Sequence, residues 1–138
     1  MRRSTLRAVL SSRPGNGTSS TSSTFLYHFE HKLALTDVIE AAKKKPYGVF
    51  HGSELPLVFR IDETLLEKAE RALAVQVESF WTQFAKSGKP ADEAAWPAYT
   101  TANDLSLRLK TGSAPTAHPG LKHDVCNFWD KFEPSVPP

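Results

Sequence analysis

The sequence has little of what several functional classes require. It contains one cysteine, Cys126, in 138 residues, which excludes an internal disulfide. No apolar run approaches the ~20 residues that a membrane-spanning helix needs, and a net charge of +2 is too small to predict a nucleic-acid-binding surface. The remaining composition, with 40% hydrophobic and 23% charged residues, is that of one globular domain.

Several site motifs are absent as well. Neither phosphate-binding pattern, GxGxxG or GxxxxGK[ST], occurs, and no serine lies in GxSxG, the turn that exposes a hydrolase nucleophile. No pair of histidines has the helical i, i+4 spacing, and two of them three residues apart on a strand would face opposite sides. We therefore expect no metal and no cofactor. The histidines are His28, His31, His51, His118 and His123.

Acidic side chains are missing from residues 1–23, which are rich in arginine, serine and threonine. This composition predicts a flexible basic segment, followed by a domain over residues 24–138. The segment lacks the apolar core of a secretory signal, although its composition is also compatible with an organelle transit peptide. The compartment of the protein stays open at this point.

Two segments have the pattern of strands. Residues 24–30 are apolar on both alternating faces, as in a strand inside a sheet, and residues 105–109 alternate as a half-exposed strand. Two strands form at best a marginal sheet, and an exposed strand edge invites aggregation. We therefore expect this chain to need a further part of a larger fold.

The helices are predicted from apolar residues at spacings of three and four. The clearest covers residues 64–87, with Thr64 and Glu67 as a capping box at its start and a glycine and proline after its end. Residues 33–45 indicate a short helix or a loop with a solvated lysine cluster, and residues 121–132 indicate a closing helix. Together with the strands, they predict an α/β domain.

His51 lies in the segment GVFHGSELPLVF, residues 48–59, where an ionisable ring interrupts an apolar run. Imidazole titrates near neutral pH, so apolar neighbours could set its pKa and orientation for proton transfer. A buried histidine bonded to one backbone carbonyl is the alternative. The chain thus offers a candidate base without a nucleophile, because the pattern around Cys126 is typical of an inert buried thiol.

Five segments in order resemble the C-terminal part of the type-B carboxylesterase and cholinesterase family of α/β-hydrolases. They are TFLYHFEHK, GVFHGSELPLVF, ESFWTQFAKSGKP, WPAYT and CNFWDKFEP. The resemblance implies one or two strands of an incomplete α/β-hydrolase sheet, a long helix and a C-terminal helix. It also implies that His51 is the histidine of a Ser-Glu/Asp-His triad that hydrolyses small-molecule carboxylic esters without a cofactor.

The resemblance also assigns supporting roles. Gly48 and Gly52 belong to the loop that carries the histidine, Gly52 keeps that loop tight, and Glu54 is a structural anchor because the family's triad acid lies far upstream. In members with disulfides the cysteine of the CxFW segment has a partner that is missing here, so Cys126 is expected to be free.

The upstream parts of the triad are not found in this sequence. The nucleophile, the oxyanion-hole glycines and the triad acid would precede Thr24, and residues 1–23 match none of them. We therefore expect the chain by itself to be inactive. We also expect it to be a truncated product, a partial gene model or a remnant of an esterase. The alternative is a non-catalytic binding or adhesion member of the same fold.

Overall fold

The structure is a computed structural model that describes residues 6–11 and 23–131. Its strands form one mixed sheet in chain order, with β2 and β3 parallel and the two outer pairs antiparallel. The strands of the described residues are β1 (Leu6–Ser11), β2 (Thr24–Phe29), β3 (Leu105–Leu109) and β4 (Thr116–Pro119). The helices of the same part are α1 (Ala34–Lys43), α2 (Leu55–Val58), α3 (Lys68–Ser87) and α4 (His123–Asp130).

The sheet has four strands in the described part, where one or two were expected. β1 lies inside the segment that we predicted to be flexible, and it pairs with β2 from Leu6 opposite Phe29 to Ser11 opposite Thr24. β4 is short and has no buried residue. β1 has four apolar residues in LRAVLS, but this short run lies in an arginine- and serine-rich segment, and its backbone pairing with β2 is what makes it a strand. Residues 1–5 and 12–22 lie outside the described residues.

The long helix begins at Lys68 rather than at residue 64. Its capping box is formed by Glu67 and Glu70, and the Glu67 N–H donates to Glu70 Oε2 at 2.9 Å. Thr64 belongs to the preceding 3₁₀ turn, where Asp62 Oδ1 accepts its N–H at 3.2 Å. The predicted capping box of Thr64 and Glu67 is therefore wrong, and the box lies one turn later, where Glu70 also accepts from His31 and from the Ala34 N–H.

The other predicted elements agree closely with the structure. α3 ends at Ser87 with Gly88 at φ 72° as its left-handed cap, as the glycine predicted. β2 and β3 lie where the two strands were predicted, and α1 resolves the choice between helix and loop after residue 33. The closing helix is shorter than residues 121–132, and residue 132 lies outside the described part.

The core lies between α3 and the face of the sheet that β2 and β3 share. Trp96 is buried in this core. Its Nε1–H donates to the Leu26 carbonyl oxygen at 3.1 Å, and the centroid of its ring lies 5.3 Å from that of Phe80. The other buried apolar side chains of the core come from β2, β3, α2, α3 and the segments that connect the elements. They are Phe25, Tyr27, Phe29, Leu33, Val49, Leu57, Leu66, Leu73, Ala74, Val77, Leu107 and Leu109.

Candidate active site around His51

His51 lies in the turn of residues 51–54 that leads directly into α2. Its side chain is exposed, and none of the described residues hydrogen-bonds its ring. This differs from the expectation of a ring enclosed by apolar neighbours. Val49 and Leu57 point into the core, whereas Leu55 and Phe59 are exposed, Phe59 to 69%. The His51 ring is therefore accessible, while the buried Val49 and Leu57 fix the chain before and after its turn.

The backbone around His51 forms two successive turns. Ser53 N–H donates to the Phe50 carbonyl at 3.0 Å, and Leu55 N–H donates to the Gly52 carbonyl at 3.1 Å. Gly48 and Gly52 have φ values of 62° and 81°, in the region that glycine adopts most readily. A Cβ on Gly52 would lie 3.4 Å from Leu55 Cδ1, which is ordinary contact, so the positive φ is what favours glycine there.

A carboxylate from α1 holds the chain just before His51. Glu40 Oε1 accepts the Tyr47 N–H at 2.6 Å and the Gly48 N–H at 2.7 Å. Its Oε2 accepts from Lys32 Nζ at 2.6 Å, and Lys32 also pairs with Asp37. The Lys32 ammonium first, and then the two N–H groups, lower the pKa of Glu40 to about 2. The sequence analysis missed Glu40, because no local motif signals a contact between a helix side chain and a later loop.

Glu54, the last residue of the turn, is buried and makes few hydrogen bonds. The Tyr27 hydroxyl faces Oε1 at 3.4 Å, a long and weak hydrogen bond. Burial first, and then Glu54, raise the pKa of Tyr27. Glu54 Oε2 and Ser53 Oγ are buried without a hydrogen-bond partner in the described part of the chain. Buried polar groups are normally hydrogen-bonded, so these two atoms are exceptions beside the turn.

Two other histidines make structural pairs away from this turn. His28 Nδ1 lies 3.0 Å from Glu30 Oε1, and Glu30 also accepts from Arg108 Nε at 3.0 Å. His31 Nε2 lies 3.0 Å from Glu70 Oε1.

Across residues 6–11 and 23–131, no three His, Cys, Asp or Glu side chains group as metal ligands, and no helix is long and apolar enough to cross a bilayer. The side chain of Cys126 lies outside the described part.

Comparisons with known proteins give consistent matches. The sequence model of the Carboxylesterase family matches residues 4–129. The acetylcholinesterase of Bungarus fasciatus is 33% identical over 96 residues, which cover 64% of this chain and 16% of that protein. The acetylcholinesterase of Electrophorus electricus is 28% identical over 135 residues, which cover 88% of this chain and 20% of that protein.

A solved structure named PNB esterase is also similar, with a TM-score of 0.51 and 31% identity. The match covers 61% of this chain and 18% of the esterase. It confirms the predicted fold class, an α/β-hydrolase fold with an incomplete sheet. The family match begins at residue 4 and so includes β1, ahead of Thr24, where the resemblance was expected to begin. The chain spans at most about a fifth of the length of these relatives.

Proposed function

The chain belongs to the Carboxylesterase family, and we propose that it supplies the catalytic histidine, His51, to a serine esterase that hydrolyses small-molecule carboxylic esters. The observation that carries the proposal is the GVFHGSELPLVF segment, which lies inside the family match and resembles the segment that carries the family's triad histidine. The exposure of the ring supports it, because a general base must reach both the nucleophile and the leaving group.

The chemistry follows from the triad. The His51 imidazole accepts the serine proton as the hydroxyl attacks the ester carbonyl, and then returns the proton to the leaving alcohol. A carboxylate on the other ring nitrogen fixes the tautomer. In this proposal both partners come from the part of the fold that precedes this segment. The free ring nitrogens agree with that arrangement, because no described residue competes for them.

The surface beside His51 supports a role for that further part. Several large apolar side chains around α2 and the following 3₁₀ turn are at least 45% exposed, namely Leu55, Phe59, Ile61 and Leu65. Two polar atoms in the same region, Ser53 Oγ and Glu54 Oε2, are buried and unpaired within the described residues. We infer that the preceding part of the hydrolase fold covers these side chains and supplies hydrogen-bond partners for the two buried atoms.

The proposal is tested with a hybrid esterase, in which residues 4–129, the range of the family match, replace the corresponding segment of the PNB esterase. We expect the hybrid to hydrolyse a chromogenic short-chain ester and to lose activity with a serine-directed organophosphate. The isolated chain should be no faster than free imidazole, because it lacks a positioned serine and oxyanion donors. Organophosphate-sensitive turnover by the isolated chain would reveal a missed nucleophile. A folded hybrid without turnover would favour the non-catalytic binding alternative.

The covered surface makes a separate prediction for Phe59. Phe59→Ser should destabilise the hybrid by about 2 kcal/mol, because a buried aromatic side chain contributes that much by leaving water. In the isolated chain, where Phe59 is 69% exposed, the same change should stay within about 0.5 kcal/mol. Urea unfolding of both proteins measures the difference. Val75→Ser, at an exposed position on α3, is the matched control and should have little effect in either. An equal loss of stability from Phe59→Ser in both proteins would show that the preceding part of the fold does not cover this side chain.

A further inference from the structure

We propose that Glu40 is a positioning residue for the proposed catalytic histidine: its carboxylate fixes the backbone just before His51 and thereby sets the place of the ring. The inference rests on the function proposed for His51. It assigns to α1 a role in the site that the motif around the histidine does not contain.

The contacts of Glu40 join α1 to the loop at two consecutive amides. One oxygen, Oε1, accepts both the Tyr47 and the Gly48 N–H, at 2.6 and 2.7 Å. The main chain of the same residue adds to the junction, since the Glu40 carbonyl accepts the Lys45 N–H at 3.3 Å. Hydrogen bonds to an ionised acceptor are short and strong compared with neutral ones. Glu40 thus holds the loop both where it leaves the helix and where it turns at Gly48.

The anchored amides are close enough to His51 to matter. Only Val49 and Phe50 separate Gly48 from the histidine, and Val49 is buried in the core. The backbone after His51 is held by the turn in which the Leu55 N–H donates to the Gly52 carbonyl. The carboxylate acts there together with the buried Val49 and with the ring contact between Tyr47 and Phe50, whose centroids lie 6.0 Å apart. A misplacement of about 1 Å can cost a hundredfold in rate, so such an anchor has catalytic consequences.

The charges around Glu40 keep the anchor in place at working pH. The Lys32 ammonium faces Oε2, and Asp37 shares that ammonium from the preceding turn of α1. With its pKa lowered to about 2, Glu40 stays ionised throughout the range in which an imidazole exchanges protons. Asp37 contacts Lys32 but not the loop, and its side chain is 67% exposed. It therefore offers a matched control for the loss of a carboxylate on α1.

The anchor is tested first by deuterium exchange of the 138-residue chain, read by mass spectrometry in peptides that cover residues 45–52. Glu40→Ala should speed exchange at the Tyr47 and Gly48 amides at least tenfold. Glu40→Gln should have an intermediate effect, since an amide oxygen still accepts. Asp37→Asn should leave both amides as in the parent chain. Equal exchange in the parent chain and in Glu40→Ala would overturn the inference, whether or not the hybrid esterase is active.

The second test uses the hybrid esterase and separates positioning from binding. Glu40→Ala should lower kcat by ten- to a hundredfold with KM within twofold, and Glu40→Gln should recover part of the loss. Asp37→Asn should stay within twofold in both constants. If His51→Ala keeps full activity, the proposed function fails while the exchange result stands. If His51→Ala is inactive but Glu40→Ala keeps its kcat, only the positioning role fails.

Discussion

His51→Ala in the hybrid esterase is expected to lower kcat for a chromogenic short-chain ester by about three orders of magnitude or more. The serine hydroxyl is a weak nucleophile until a base accepts its proton, and the variant has no group that can replace the imidazole. The exposed position of His51 means that its removal leaves the core untouched. The free energy of unfolding should therefore stay close to that of the parent hybrid while turnover collapses.

Two further variants separate the catalytic loss from general effects. His123→Ala makes the same substitution at another exposed histidine, at the start of α4, and should keep kcat within twofold. Glu54→Gln should act mainly through stability, because Glu54 is buried beside the turn and has no hydrogen bond to the His51 ring within the described part. Full activity of His51→Ala would show that the histidine has been assigned wrongly, whatever the two controls do.

Glu70→Ala is expected to destabilise the fold by about 3 kcal/mol, an effect typical of breaking a buried charged network. The Glu70 side chain is almost fully buried at the start of α3. Its Oε1 accepts from His31 Nε2 at 3.0 Å and the Ala34 N–H at 2.7 Å, and its Oε2 accepts the Glu67 N–H at 2.9 Å. The variant leaves these donors without an acceptor at the junction of β2, α1 and α3. Urea unfolding at neutral pH measures the loss.

The same carboxylate should give the stability a defined pH dependence. Burial alone raises the pKa of Glu70, but the hydrogen bonds from the Glu67 N–H, His31 and the Ala34 N–H outweigh it and leave the pKa below its usual value. A lowered folded-state pKa gives stability that is present above the unfolded value of about 4.3 and lost as the pH falls through the folded value. The stability gap between the parent chain and Glu70→Gln should therefore shrink in acid.

The control for Glu70 lies on the same helix. Glu78 is 44% exposed and pairs with Arg60 at 3.1 Å, so Glu78→Ala should cost at most about 0.5 kcal/mol at any pH. A similar loss for both glutamates would mean that the buried network around Glu70 contributes no more than a surface ion pair.

Much of this fold can be read from local signals in the sequence. The doubly apolar pattern marked β2, the alternating leucines marked β3, and Gly88 marked the end of α3, because side-chain periodicity and backbone freedom act over a few residues. The ordered segments predicted the α/β-hydrolase fold class, which the likeness to the PNB esterase confirms. The role of His51 stays a prediction that rests on the same resemblance.

Tertiary structure alone decided the rest. β4, with the sequence TAHP, has no strand pattern and forms because its backbone pairs with β3. The apolar run of β1 is too short to predict a strand by itself, and its pairing with β2 decides the structure there. The start of α3 depends on Glu70, whose partners His31 and Ala34 come from a distant part of the chain. Glu40 reaches the loop before His51 only because α1 ends beside it. The tertiary fold brings such donors to a carboxylate, so the spacing of residues along the chain does not predict which donors it will contact.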